Sequence, residues 1–330
     1  MTVLVTGGAG YIGSHMVWRL LDAGEEVVVA DRLSTGFDWA VPPEANLNIG
    51  DIGDPDFIGP LLKRHDIQSV FHFAGSIVVP ESVTDPLGYY LNNTVKSRAL
   101  MEACVKAGVS HFIFSSTAAV YGTPDGMAPV AESAPASPES PYGTSKLMTE
   151  IMLRDAAAAH PLRYACLRYF NVAGADPNGR TGQSTPNATH LIKVATQAAL
   201  NKRPFMEVFG TDYGTPDGTC IRDYIHVTDL VEAHYLALQH LRSSEENLVA
   251  NCGYGRGRSV LEVIDMVKQV SGSDFEVKLA ERRPGDAVSI VANSDLIKDR
   301  LGWTPQYDDL EKIVGNALSW EAALERRNRK

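Results

Sequence analysis

Nowhere in the 330 residues does an apolar run approach the roughly 20 needed to span a bilayer, so no membrane span is expected. Cysteine is scarce. Cys104, Cys166, Cys220 and Cys252 are scattered, with no CxxC pair or metal-ligand spacing. Neither a disulfide framework nor a metal site is therefore expected, and the four read as reduced core residues of a cytoplasmic protein. In that compartment the sequons at Asn92 and Asn187 carry no glycosylation meaning. Positive charge is also in short supply. Thirty Lys and Arg against 40 Asp and Glu give a net charge of −10, which argues against the concentrated basic surface that a nucleic-acid partner requires. The RRNRK segment at 326–330 reads as a short solvated basic tail. Repeats and low-complexity tracts are lacking. The opening MTVLV reads as a strand and leaves no room for a secretory leader. What is present is an apolar fraction of 44% and a mean hydropathy of −0.11, the balance of a soluble protein with a full core.

The first half alternates strand-like and helix-like segments. VLVTG, EVVVAD, NLNIGDI, IQSVFHFAG, HFIFSST and RYACLRYF read as strands, with amphipathic stretches between them. That alternation predicts an α/β fold, a doubly wound parallel Rossmann-type sheet covered on both faces. After Asn171 a loop rich in Gly, Pro, Asn and Thr leads into HLIKVATQAAL and shorter mixed elements, and VTDLVEAHYLALQHL reads as one more long amphipathic helix. The expected division is a nucleotide-binding unit at 1–171 and a smaller mixed α/β substrate unit at 172–330, parts of which pack back on the first.

TGGAGYIGSH joins the first strand to the first helix and can be read as Gly8-x-Gly10-x-x-Gly13 or Gly7-x-x-Gly10-x-x-Gly13. Glycines there permit a tight turn and close backbone approach to a pyrophosphate, and the helix N-terminus beyond supplies N–H donors and a positive dipole end. Asp31 ends the second strand about 20 residues on, where a carboxylate binds a ribose 2′-hydroxyl and would repel a 2′-phosphate. NAD is the favoured cofactor, although Arg32 beside it is a residue type that accepts such a phosphate.

Further along, SPYGTSK at 140–146 places Ser140 as an N-cap and Pro141 at the first helical position. Tyr142 and Lys146 then share a helix face. An ammonium and the positive helix end both favour a phenolate, which makes Tyr142 a candidate proton shuttle.

GGAGYIG, SSTAAVYG after the fifth strand and Tyr142-x-x-x-Lys146 together resemble the extended short-chain dehydrogenase/reductase family. HFAG, PESVTDPLGYYLNN, RYFNVAGA, FGTDYGTPDGTCIRDYIHVTDL, RRPGD and LGWTPQY resemble its UDP-hexose 4-epimerases along essentially the whole chain. The resemblance implies a UDP-galactose/UDP-glucose epimerase with tightly bound NAD that oxidises C4′ transiently, lets the keto sugar turn and returns the hydride. In that scheme Tyr142 is the acid/base, Lys146 lowers its pKa and holds the nicotinamide ribose, and Thr117 supplies a hydroxyl where serine is common. Gly7, Gly10, Tyr11, Ile12 and Gly13 would cradle NAD with Asp31. Asp51 and Ile52 would meet adenine, Phe73, Ala74 and Gly75 the pyrophosphate and ribose, and Tyr169 the nicotinamide. Arg222 and Arg283 would grip the UDP diphosphate, Asp286 the uridine ribose, and Asn92 and Asn171 further UDP atoms. Three positions depart from the pattern. Ile77 stands where a lysine is frequent, His190 replaces an asparagine, and Ile290 occupies the position that tunes room for an N-acetyl group, here with a lean against N-acetylated sugars. A 4,6-dehydratase is disfavoured, because Ala118 and Ala119 replace its carboxylate pair. Epimerases of UDP-pentoses or UDP-glucuronate and a non-catalytic NAD(H) sensor are the other readings. Helices over LGYYLNNTVKSRALMEACVKAG and SKLMTEIMLRDAAAA resemble the family's dimer-forming pair, so a homodimer is expected.

Overall fold

Apolar runs rich in Val, Ile and Phe, each closed by a turn signal, form parallel strands wherever amphipathic helices return the chain to the same sheet edge. The computed structural model describes residues 1–124, 126–244, 246–283 and 286–327, the side chains of 325 and 326 excepted. Strands β1 (Thr2–Thr6), β2 (Glu26–Asp31), β3 (Asn46–Ile49), β4 (Ser69–His72), β5 (His111–Ser115) and β6 (Arg163–Tyr169) lie parallel in the order β6-β5-β4-β1-β2-β3. After β6 come β7 (Asn171–Ala173), β8 (Phe205–Phe209), β9 (Ile221–His226) and β10 (Leu248–Cys252). β10 returns to the large sheet as a seventh strand beside β6. Then follow β11 (Gly257–Ser259), β12 (Glu276–Ala280) and β13 (Ser289–Ile290). β9 pairs with β7, β11 and β13 in a small second sheet, and β8 pairs with β12.

The helices are α1 (Tyr11–Asp22), α2 (Pro55–Arg64), α3 (Val79–Thr84), α4 (Pro86–Tyr89), α5 (Lys96–Ala107), α6 (Pro141–Ala159), α7 (Leu191–Ala199), α8 (Val227–Ser243), α9 (Val260–Ser271), α10 (Asp295–Leu301) and α11 (Leu310–Arg327). Successive strand residues feed opposite faces of the sheet. Val3, Val5, Val27 and Val29 join the core beneath α1 and α8, whereas Leu4, Val28, Ala30 and Val70 join the one beneath α2, α5 and α6. The late helix α8 thus packs on the first sheet, tied to α1 by Arg19 Nε donating to Glu232 at 2.5 Å.

Two local expectations need correction. The helix expected to run unbroken from residue 87 is interrupted between α4 and α5 by a π-helical turn at Tyr90–Val95. Asn93 gives the reason. Its carboxamide oxygen accepts the Ser76 N–H at 2.8 Å, and its Nδ2 donates to the Ser76 carbonyl at 3.0 Å and to Ser145 Oγ at 3.1 Å. These tertiary bonds hold a wider turn than the local pattern prescribes. The basic tail is not wholly solvated either. Arg327 donates to the carbonyls of Gly179 at 2.8 Å and Arg180 at 3.1 Å, and its guanidinium lies 4.7 Å from the Trp320 ring centre. Residues 328–330 of the tail lie outside the described residues.

Candidate active site

The carboxyl ends of β1, β2, β4, β5 and β6 open on one edge, the place where parallel α/β sheets bind ligands. The turn after β1 is closed by Gly10 N–H donating to Gly7 O at 3.1 Å. Gly7 has φ +71° and a side chain there would meet Ala74 N at 2.7 Å, while a Cβ on Gly13 would lie 2.1 Å from Gly7 O. Gly8 instead faces Val29 in the core. The turn is thus built from Gly7, Gly10 and Gly13. It presents bare backbone at the start of α1, where Tyr11 and Ile12 begin the helix, and that fits a pyrophosphate. Tyr11 anchors it by donating to Gly174 O at 2.7 Å.

Asp31 ends β2 and accepts N–H groups from Ala9 at 3.0 Å and Leu33 at 2.8 Å, which fixes its carboxylate against the glycine turn. Asp51 accepts from Gly53 N–H at 2.9 Å and from Lys96 Nζ. Burial opposes its ionisation, but Lys96, the Gly53 N–H and Arg32 prevail and hold it below the usual carboxylate range. Arg32 stands 3.7 Å from Asp51, so this cation already faces a carboxylate. Ile52 is buried beside it. Phe73 lies tilted against His234 with ring centres 5.1 Å apart, and Ala74 N–H donates to Thr6 Oγ1 at 3.4 Å. Gly75 approaches Asn93, and Ile77 is exposed.

α6 carries the candidate acid/base. Ser140 Oγ accepts the Gly143 N–H at 3.1 Å and Pro141 opens the helix, so Tyr142 falls in its first turn and Lys146 one turn on, both buried. Thr117 follows β5, its Oγ1 accepting the Ala119 N–H at 3.1 Å, and its hydroxyl also hydrogen-bonds the Tyr142 phenol. Tyr169 ends β6, its phenol oxygen accepting from Ser115 Oγ at 3.0 Å.

The expected lowering of the Tyr142 pKa is not what the protein alone produces. Burial pushes the phenol well above its ordinary value, neighbouring Tyr169 and Tyr89 add to that, and the Thr117 hydrogen bond acts the other way. Burial also brings Lys146 down to about 8, against an opposing pull from Glu150 and Cys166. Desolvation outweighs the neighbouring charges where water is this thoroughly excluded.

The substrate candidates lie on several elements, and of them only Asn171 and His190 share one cavity among the described residues. Asn92 Nδ2 donates to Ser76 Oγ at 2.9 Å on the π-helical turn. Asn171 opens β7 and lines a cavity with His190, Gln183, Tyr224 and Trp320. His190 precedes α7 without a side-chain cap, sits 2.8 Å from Gln183 Nε2 and is kept neutral by burial. Arg222 donates through Nη1 to the carbonyls of Ile221 at 2.9 Å and Ala287 at 2.8 Å, and its Nη2 stands 3.4 Å from Asp286. Arg283 lies exposed with its guanidinium 3.7 Å from the Phe209 ring centre. Ile290 pairs with Arg222 across β13 and β9 and packs against a cluster containing Ala118, Tyr121 and Phe170.

Sequence reasoning missed Asn93, which ties three segments of the site, and Lys96 on Asp51. It also missed the buried Glu150–Arg168 pair, although Glu150 sits four residues after Lys146 and its spacing was a usable signal.

An open parallel sheet with a glycine turn at its switch point and a Tyr/Lys helix on its carboxyl edge defines a class of dinucleotide-binding α/β proteins. The model of the NAD dependent epimerase/dehydratase family matches residues 3–253, and the chain belongs to that family. The chain is 58% identical over 323 residues to the UDP-glucose 4-epimerase of Azospirillum brasilense, covering 98% of this chain and 92% of the relative. The crystal structure of UDP-glucose 4-epimerase from Brucella ovis in complex with NAD superposes with a TM-score of 0.93 at 43% identity, covering 96% and 97% of the two chains. The Stenotrophomonas maltophila UDP-glucose 4-epimerase, with bound NAD and formylated UDP-arabinopyranose, superposes with a TM-score of 0.95 at 39% identity over 99% of each chain.

Proposed function

We propose that this chain is a UDP-hexose 4-epimerase that interconverts UDP-galactose and UDP-glucose on tightly held NAD. The observation that carries the reading is buried Tyr142 at Thr117, with Lys146 one turn on, at the same carboxyl edge of the sheet as the glycine turn. The cradle of Gly7, Gly10 and Gly13 with Asp31 fits a dinucleotide lacking a 2′-phosphate. Bound NAD supplies the hydride acceptor and donor at the sugar C4′. Tyr142 takes the 4′-hydroxyl proton and returns it, and Thr117 orients that oxygen. Lys146 supplies the cation that favours the phenolate against the cost of burial. Arg222 and Arg283 hold the diphosphate, with Asp286 on the uridine ribose and Asn92, Asn171 and His190 on further UDP atoms. This anchorage leaves the sugar free to turn. Residues 1–171 supply the cofactor side and 172–330 the nucleotide-sugar side, with α8 and β10 belonging structurally to the first sheet.

The absence of an acid pair at Ala118 and Ala119 separates this chemistry from water elimination, which needs a second proton donor and acceptor. Purified protein is expected to interconvert UDP-galactose and UDP-glucose with no nicotinamide cofactor added, followed by NMR of the sugar nucleotides. Stoichiometric NAD consumption would refute the reading. The pentose nucleotide in the Stenotrophomonas maltophila structure makes a UDP-pentose the second substrate to assay, together with UDP-glucuronate and N-acetylated sugars.

The protein is a homodimer in this reading, working in the cytoplasm. Val79, Val83, Leu87, Leu91 and Val95 recur every four residues along α3, α4 and the π-helical turn, Leu87 being 78% exposed, and Met148 and Ile151 of α6 extend the apolar face. A second copy of the same face is the occupant that covers it, since an isologous contact pairs one patch with itself. Among the described residues no helix is long and apolar enough to cross a membrane.

A further inference from the structure

On α6, Tyr142, Lys146 and Glu150 follow one another at four-residue steps, and all three are at least nine-tenths buried. A carboxylate this deep persists only when fully bonded. Glu150 accepts Ser116 Oγ at 2.5 Å and receives the Arg168 guanidinium in bidentate fashion, Nε at 3.0 Å and Nη2 at 2.6 Å. Ser116 immediately precedes Thr117, and Arg168 immediately precedes Tyr169 on β6. Arg168 Nη1 continues to the Tyr121 hydroxyl at 3.0 Å, which donates to Asn251 Oδ1 at 2.7 Å. One carboxylate therefore joins the helix of the acid/base pair to the Thr117 segment and to the strand bearing Tyr169.

Its charge matters as well. The groups around Lys146 are Tyr142 on its own helix, the Phe114 ring 4.4 Å from Nζ, and the buried thiol of Cys166 on β6. His72 on β4 and His234 on α8 complete the set, both kept neutral by burial and by the Lys146 charge. Of these neighbours and Glu150, the carboxylate exerts the largest upward pull on the Lys146 pKa, with Cys166 acting in the same direction.

We propose that Glu150 is a positioning residue for the epimerisation. From one turn beyond Lys146 it keeps that side chain an ammonium and locks Thr117 and Tyr169 in register with Tyr142. It touches neither substrate nor cofactor, and the inference rests on the reading of the site given above.

The test uses the NAD-loaded enzyme and two variants, Glu150→Gln and the double variant Glu150→Gln/Arg168→Gln, which replaces the ion pair by two amides and leaves no buried guanidinium unpaired. Measured are kcat and KM across pH, NAD content and thermal melting. Both variants are expected to retain NAD with KM changed less than about threefold, whereas kcat falls about tenfold or more. The alkaline limb of kcat is expected to move down by about one pH unit, since a lysine without its anion loses the proton earlier. Glu150→Asp restores part of both. A folded double variant with wild-type kcat and pH profile overturns the proposal. A double variant that does not fold makes the pair a folding element alone and overturns it too. Wild-type protein inactive on every UDP-sugar defeats the underlying reading instead, whereas active wild type beside an unmoved variant defeats only the role of Glu150.

Discussion

Tyr142 shows how a single residue is set by two opposed effects. Burial favours the neutral phenol, and the Thr117 hydrogen bond favours the phenolate. Removing the hydroxyl alone leaves the ring in place among its neighbours. Tyr142→Phe is expected to retain bound NAD, read from the absorbance of the denatured protein's supernatant, while kcat falls about 10²- to 10⁴-fold, the range of general acid–base catalysis. Near-wild-type turnover in that variant removes the proposed base. Gly13 is the complementary case. A methyl there would lie 2.1 Å from the Gly7 carbonyl, a backbone atom that cannot rotate away. Gly13→Ala is expected to open the turn, and the protein should leave gel filtration with NAD largely lost. Retention of a full complement would show that the turn tolerates the shift.

At the scale of elements, the informative unit is the run from α3 through the π-helical turn to α5, packed against α6. The wide turn points Asn92 and Asn93 at the loop after β4, while the opposite side leaves the apolar stripe in water. Leu87 and Leu91 are the most central large side chains on that stripe, 78% and 55% exposed. Each apolar side chain covered by a partner is worth about 1.5–3 kcal/mol. Leu87→Glu/Leu91→Glu places like charges across the symmetric contact. It is expected to yield monomers by analytical ultracentrifugation at concentrations where the wild type sediments as a dimer. A wild type that sediments as a monomer rules out the dimer outright.

The whole molecule carries an acid sensitivity that no single site reveals. His15 and His234 are brought to about 4, and His72 and His226 to about 3, each chiefly by burial. The unfolded chain binds these protons near the ordinary value of about 6.5, so between 6.5 and the folded values it holds more protons than the native state. Stability is complete above about 6.5 and is lost as pH falls through that window, each histidine contributing up to about 1.4 kcal/mol per pH unit. The urea midpoint is expected to be flat from pH 8 to 7 and to fall steeply below 6.5. A flat midpoint down to pH 5 would mean that these rings are not buried and neutral.

Much of this was legible before folding, because it depends on neighbours along the chain. Short continuous apolar runs marked the strands, Ser140 and Pro141 the start of α6, and the glycine spacing the turn after β1. The four-residue step between Tyr142 and Lys146 put both on one face. These are backbone rules that act within a few residues. The tertiary structure alone decided matters that depend on distant partners. The π-helical break follows from Ser76 and Ser145 reaching Asn93, and β10 joins the sheet beside β6 some 80 residues before it. The direction of the Tyr142 shift likewise follows from exclusion of water by the assembled fold, a quantity no local spacing encodes.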